Sequence, residues 1–360
     1  MTQPSMAFFG SSLVSSYWNG AATYYRGIIR ALHARGWNVT FFEPDAFERQ
    51  DHRDMPDPDW ARVVVYPPDD LGLERALDSA LHADVIVKAS GVGVLDDELE
   101  AAVLQIKKPH QLCIFWDVDA PATLERLQAN PDDPLRALVP RYDKVLTYGG
   151  GQPVVDAYTA LGARECTPIY NALDSETHHP VPPDMRFTAD LALLANRLPD
   201  REARIHEFLF EPARLLPQCQ FLLAGNGWQG ADVPENITLL GHLPTADHNA
   251  FNCSPTAVLN VNRASMARFG FSPATRIFEA AGAGACIISD AWPGLDEFLE
   301  PDSEVLVAES GDEVAELLRH LTPRRARMIG EAARLRVLAK HTYEHRVSQL
   351  EELLDLATAR

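Results

Sequence analysis

One acidic side chain, Glu279, stands inside the otherwise small and apolar run FSPATRIFEAAGAGACIISDAW, residues 271–292. The pattern predicts a helix near 273–283. Ser272 is a candidate N-cap, and Pro273 suits a first helical position, where no N–H is needed. The helix would then open on Ala274, Thr275 and Arg276 with free N–H groups and the positive end of its dipole, a ready anion site. Glu279 lies seven residues beyond Ser272, about 10 Å at ~1.5 Å per residue, a length a nucleoside diphosphate spans. Phosphate on the helix start, a cationic hydrogen bond from Arg276 and two ribose hydroxyls donating to Glu279 would fit that spacing. The small residues that follow would let a ligand approach closely. The alternative is a buried glutamate paired with a nearby arginine, on a helix that its glycines end.

Four further segments end apolar runs with polar, cationic or glycine residues. They are ANRLPDREAR (Arg197, Arg201), AGNGW (Asn226, Gly227, Trp228), LLGHL (His242, Leu243) and NVNRAS (Arg263, Ser265). Each alone is an ordinary turn. Together they read as one crevice at the carboxyl ends of strands, where open α/β sheets bind ligands. His242 reads as framing a base pocket rather than binding a metal. The adjacent His178 and His179 point apart and read as linker residues. With no ligand cluster in view, neither metal nor cofactor is expected.

Two segments nearer the N-terminus could complete a reaction. The loop of GSSLVSSYWNG (Gly10, Ser11, Ser12, Asn19, Gly20) resembles a phosphate cradle but lacks G-x-G-x-x-G, so a loop lining an interdomain cleft fits better. FWDVDAP ends a hydrophobic strand with Asp117 and Asp119, a place for a catalytic base. Asp119 is the first choice and Asp117 the second. A helix N-cap by Asp119 before Pro121 is the alternative, and it does not exclude catalysis.

The elements that must hold these residues alternate. Strands are expected near 6–9, 37–42, 62–66, 84–89, 111–116, 144–148 and 165–170, with helices near 20–35, 71–82, 95–107, 121–129 and 152–161. A proline-rich, polar stretch at 174–187 reads as a linker. Beyond it six more strands alternate with helices near 200–214, 245–253, 273–283 and 311–321. Helices at 323–340 and 342–359 follow, the last with Leu350, Leu353, Leu354 and Ala357 on one face. The expected division is an N-terminal α/β domain at 1–173, the linker, a C-terminal α/β domain at 188–340, and a helix at 341–360 packing back on the first domain.

Bulk properties narrow the classes. At 360 residues, 46% hydrophobic and 23% charged, the chain suits two globular domains. No apolar run is long enough to span a bilayer, and the start lacks a signal-peptide pattern. Five cysteines without metal or redox spacing read as reduced thiols, so a cytoplasmic protein is expected. A formal charge of −19 argues against nucleic-acid partners. Residues 323–346 are an exception, with seven Arg/Lys against two Glu. That segment reads as a solvated helix face or as a cationic surface for an acidic domain or an anionic membrane.

The segments PIYNALDSETHHP, NRLPDREAR, LLAGNGW, LNVNRASM and GFSPATRIFEAAGAGACIISDAWPGLDEFL, with the opening GSSLVSSYWNGAATYYRGIIRALHARGWNVTFFEPD, resemble GT-B glycosyltransferases, and within them the CgeB-type (spore maturation protein) branch. The resemblance implies two Rossmann-like domains facing across a cleft, a nucleotide-sugar donor on the second domain and an acceptor on the first. It implies that Glu279 holds the donor ribose and that Asn171-Ala172-Leu173-Asp174 matches the family's segment at the domain junction. One departure is Phe271, where retaining relatives often carry a second glutamate. Another is the diphosphate pair, matched here only by Arg197 with Arg201. The activity implied is hexosyl transfer, by default from a UDP-sugar, to an acceptor hydroxyl without a metal. The rival readings are a nucleotide-sugar epimerase of the same architecture and a non-catalytic nucleotide-sugar-binding protein.

Overall fold

The apolar runs all become strands, and every pairing between them is parallel. The computed structural model describes residues 3–17 and 19–354. It divides into two units, one made of 1–170 and 343–360, the other of 171–342.

The first unit carries β1 (Ser5–Phe9), β2 (Asn38–Pro44), β3 (Arg62–Tyr66), β4 (Val85–Ala89), β5 (Leu112–Asp117), β6 (Lys144–Thr147) and β7 (Cys166–Pro168). Its helices are α1 (Ala22–Ala34), α2 (Asp70–Ala80), α3 (Asp96–Ile106), α4 (Ala120–Ala129), α5 (Leu135–Leu138) and α6 (Gly151–Ala160). The sheet order is β3-β2-β1-β4-β5-β6-β7. Buried aromatics set its core: Phe8 stacks on Phe41 at 5.3 Å, and Trp116 donates its indole N–H to Tyr24, whose hydroxyl donates to the Ile169 carbonyl.

The second unit carries β8 (Leu191–Leu194), β9 (Phe221–Ala224), β10 (Ile237–Gly241), β11 (Ala257–Asn260), β12 (Ile287–Asp290) and β13 (Leu306–Ala308), ordered β10-β9-β8-β11-β12-β13. Its helices are α7 (Pro199–Ile205), α8 (Glu211–Leu215), α9 (His248–Cys253), α10 (Ala264–Phe269), α11 (Thr275–Gly282), α12 (Gly311–His320) and α13 (Pro323–Lys340), with one π turn at His206–Phe210 joining α7 to α8. Strand side chains alternate between two cores. Leu191 and Leu193 join Phe208, Phe221 and Ile329 on one face, while Ala192, Leu222 and Ala224 join Phe187 and Phe251 on the other. In both sheets the strand order reverses once, between β1 and β4 and between β8 and β11, the switch point at which such sheets receive ligands.

The chain returns to the first unit as α14 (Tyr343–Leu354). There Arg35 and the Trp37 indole both reach the Glu351 carboxylate, at 2.7 and 3.0 Å, and Leu350 and Leu354 are buried. Ala357 and the rest of 355–360 lie outside the described residues.

The expected linker at 174–187 is instead built into the second unit, as are Asn171–Leu173. The Leu173 N–H donates to the His341 carbonyl, Asn249 Nδ2 donates to the Thr177 carbonyl, and Phe187 is buried under the sheet. A proline-rich composition marks chain without regular structure, and here that chain wraps the domain rather than spacing it.

Candidate active site

Helix α11 is where the sequence points, and it starts later than expected. Ala274 is the N-cap, with extended backbone and no side-chain cap bond, and Thr275 is the first helical residue. Ser272, expected to cap, instead folds its hydroxyl back onto the Gly270 carbonyl at 2.9 Å. Pro273 is therefore outside the helix, and its carbonyl accepts from Asn171 Nδ2. The cause lies just upstream. Phe271 takes a left-handed backbone conformation, φ 47°, and donates its N–H to the Pro293 carbonyl, so the chain turns before entering the helix. The uncapped first-turn N–H groups of α11 retain the character of an anion site.

Arg276 and Glu279, three residues apart on α11, line one crevice with Ala192, Leu194, Asn260 and Phe251. Arg276 donates to Asn260 Oδ1 and to the Val261 carbonyl, both at 3.2 Å. Burial lowers its pKa, while the charges of Glu279 and Asp290 oppose that shift. Glu279 is not bonded away into the core. Its side chain is 14% exposed, and one oxygen, Oε1, lies 3.6 Å from His178 Nε2.

Under the site lies a polar network that the motifs did not reveal. Arg204 of α7 donates to Asp290 Oδ2 at 2.6 Å and to the Asn262 carbonyl at 3.2 Å. Asp290, fully buried at the end of β12, accepts from the Asn262 N–H, and Asn262 Nδ2 donates to the Ser272 carbonyl. Burial pushes the Asp290 carboxyl up, and the Arg204 guanidinium pulls it back down. Arg204 stands inside the ANRLPDREAR segment, so its charge was visible but its partner, 86 residues on, was not.

The remaining predicted residues gather at the ends of β8, β9 and β11. Arg197 pairs with Glu202 at 2.6 Å and lies over the Trp228 ring, and Arg263 pairs with Asp200 at 2.5 Å. Arg201 is buried in the first turn of α7, Ser265 stands in the first turn of α10, and α10 packs on α7. Asn226 and Gly227 are exposed, and the Asn226 carbonyl accepts from the Arg197 N–H. Gly225 holds this turn: φ is +128°, and a Cβ there would meet the Ala195 carbonyl oxygen at 2.2 Å. Trp228, expected to face ligand, is 1% exposed in the core against Phe210, and its indole N–H bonds the Ala195 carbonyl. It fixes the loop instead. His242 is exposed, and Leu243 is buried beside Phe251, a wall of the crevice. His178, expected in a linker, is 4% exposed and faces Glu279.

In the first unit, Asp117 is fully buried. It accepts from Ser90 Oγ, Thr123 Oγ1, Tyr158 OH and the Asp119 N–H, and burial pushes its carboxyl up. A carboxylate so enclosed organises the β5–α4 turn and does not face a substrate. Asp119 stands at the α4 N-cap position, partly exposed, with no side-chain cap bond. The expected cleft loop is largely self-contained. Ser11 donates to Asn19, Asn19 donates to the Ser12 and Ser15 carbonyls, and Ser12 donates to the buried Glu43. Gly10 lies against the Phe41 ring, and only Gly20 of the five is exposed. Among the described residues no three His, Cys, Asp or Glu side chains are placed to hold a metal ion, and no helix is long and apolar enough to cross a membrane.

Residues 201–352 match the family described as glycosyl transferase-like. Among curated proteins none matches the chain. Solved structures resemble the whole chain. Sucrose-phosphate synthase from Thermosynechococcus elongatus is 15% identical, with a TM-score of 0.69 over 99% of this chain and 100% of that one. HepE of Anabaena, solved with UDP and glucose, is 15% identical, with a TM-score of 0.67 over 98% and 99%. An alpha-glucosyltransferase, solved with UDP and a 13-mer DNA, is 11% identical, with a TM-score of 0.71 over 98% and 100%. The fold is that of GT-B glycosyltransferase structures, with two parallel-sheet, Rossmann-like domains.

Proposed function

We propose that the protein transfers a sugar from a nucleoside diphosphate sugar to an acceptor hydroxyl. The observation that carries this reading is Arg276 and Glu279 facing one crevice, with the uncapped start of α11 beside them. Glu279 accepts from the ribose hydroxyls. The leaving diphosphate gathers negative charge as the glycosidic bond breaks, and fixed cations and N–H groups stabilise that charge. Arg276 and the α11 start supply it directly. Arg197, Arg201 and Arg263 flank the β8/β11 switch point, and phosphate replaces Glu202 and Asp200 as the partner of the two paired arginines.

Uracil is the base of choice, since the similar structures include complexes with UDP and with UDP-glucose. The finer reading keeps the CgeB-type likeness, hexosyl transfer and a reaction independent of metal. Asp119 takes the acceptor proton or positions the sugar. A net charge of −19 favours a small molecule, glycan or protein acceptor over nucleic acid.

Melting temperature is measured against a panel of nucleotides and nucleotide sugars. UDP or a UDP-sugar at 100 times its Kd stabilises by about 2.7 kcal/mol, and Glu279→Ala removes most of that shift. Sugar release or transfer is then followed by product analysis before and after dialysis against EDTA. No shift with any nucleotide would overturn the reading. Epimerised donor formed without an acceptor would replace it with the epimerase reading.

A further inference from the structure

We propose that His178 is a positioning residue for Glu279, holding one carboxylate oxygen so that the other faces the crevice. This rests on Glu279 being the ribose acceptor of the proposed reaction.

The contact joins His178 Nε2 to Glu279 Oε1 at 3.6 Å, a few tenths of an ångström beyond a hydrogen bond, between side chains 4% and 14% exposed. The histidine cannot drift. Its backbone N–H donates to the Asp174 carbonyl at 2.9 Å, and the Asp174 carboxylate takes the Thr177 hydroxyl at 2.8 Å. Asn249 of α9 ties down both neighbours, donating to the Thr177 carbonyl and accepting from the His179 N–H. The ring also lies near-parallel to His248, 6.4 Å away at 24°. Two elements, the 171–180 segment and α9, thus set where the imidazole stands over α11.

The proton arrangement follows from satisfaction of the ring. Nδ1 of His178 is buried without a hydrogen-bond partner. A ring protonated only on Nδ1 would set a bare lone pair against the carboxylate. The remaining tautomer carries its proton on Nε2, toward Glu279. A carboxylate offers about four lone-pair sites. With Oε1 turned to the histidine, Oε2 keeps its sites for a pair of ribose hydroxyls, on the side of the helix that carries Arg276.

The test is calorimetric binding of UDP and of 2′-deoxy-UDP, which lacks one hydroxyl. If the melting panel selects another base, the ribo and deoxy forms of that base are used. Losing a hydrogen bond to a charged group should make the parent protein prefer UDP by roughly 10- to 100-fold. Glu279→Gln should bring that preference to within about threefold. His178→Phe keeps a ring but no N–H and should reduce the preference about tenfold, while His178→Gln, which can still donate, should restore most of it. The double variant His178→Phe/Glu279→Gln should match Glu279→Gln alone. Should His178→Phe fail to fold, His178→Ala reads the same ratio. If His178 variants weaken UDP and 2′-deoxy-UDP equally, the residue only packs and the inference falls. If the parent protein binds a nucleotide but shows no ribose preference, the role of Glu279 falls first and this one with it. Binding of no nucleotide at all removes the proposed function as well.

Discussion

Arg204 and Asp290 join two loops that end strands of the second unit: the guanidinium on α7 lies 2.6 Å from a carboxylate that is fully buried at the end of β12. Through Asn262 that pair also holds the carbonyl of Ser272, just before α11. Removing Asp290 leaves the buried Asn262 N–H and the partly exposed Arg204 without their carboxylate. Asp290→Ala should therefore destabilise the protein by about 1–3 kcal/mol, read from urea unfolding. It should also weaken nucleotide binding, because the approach to α11 loses its anchor. Unchanged stability would show that water or another group compensates.

Much of this was legible before the structure. The parallel sheets follow from short apolar runs alternating with helical periods, because strands covered on both faces must be apolar throughout. Glu279 was legible because a charge in a small, apolar helix demands a reason. The Arg204–Asp290 pair was not, since ISD at the end of β12 reads as an ordinary strand end and its partner is remote in the chain. His178 was misread because a histidine pair beside proline has the composition of a linker. Its burial depends on Asn249 and α11, neither of which is near in sequence. Trp228 after Gly-Asn-Gly looks like a ligand platform. Its indole is instead drawn into the core by Phe210 and the Ala195 carbonyl.

The two aspartates of FWDVDAP should separate cleanly. Asp117 accepts four hydrogen bonds in the core, so Asp117→Ala should cost about 1–3 kcal/mol of stability by leaving buried donors unmet. Asp119 is partly exposed at the start of α4. Asp119→Asn should leave unfolding within about 0.5 kcal/mol of the parent while transfer falls at least about 100-fold, the usual scale of a lost general base. Retention of full turnover would remove Asp119 from the reaction.

The return of α14 to the first unit depends on the absence of one side chain. A Cβ on Gly27 of α1 would stand 2.1 Å from the Tyr343 ring. Alanine is the better helix former, yet Gly27→Ala should destabilise by about 1–3 kcal/mol through overpacking. In a Tyr343→Ala background the same substitution should be neutral or stabilising, because the obstructing ring is gone. Equal effects in both backgrounds, measured by urea unfolding, would mean that α14 does not bear on α1 in solution.

His248 opens α9 beside Glu279, and its pKa lies below the usual histidine value. Burial is the largest cause; the Glu279 charge and a Leu243 backbone hydrogen bond oppose it, and the positive charge that His178 or His242 carries when protonated acts with it. The unfolded chain therefore binds a proton on this residue at a higher pH than the folded chain does. Stability from the neutral ring is fully present above the unfolded value, about 6.5, and is lost as pH falls below it toward the folded value. Other groups titrate as well, so the informative quantity is the difference between the parent and His248→Gln. Melting temperature measured from pH 7.5 to pH 5 should fall more steeply for the parent than for the variant, with the gap opening below about pH 6.5. Parallel curves for the two proteins would show that the ring takes up its proton without penalty, and that the α9 side of the crevice is wetter than its packing implies.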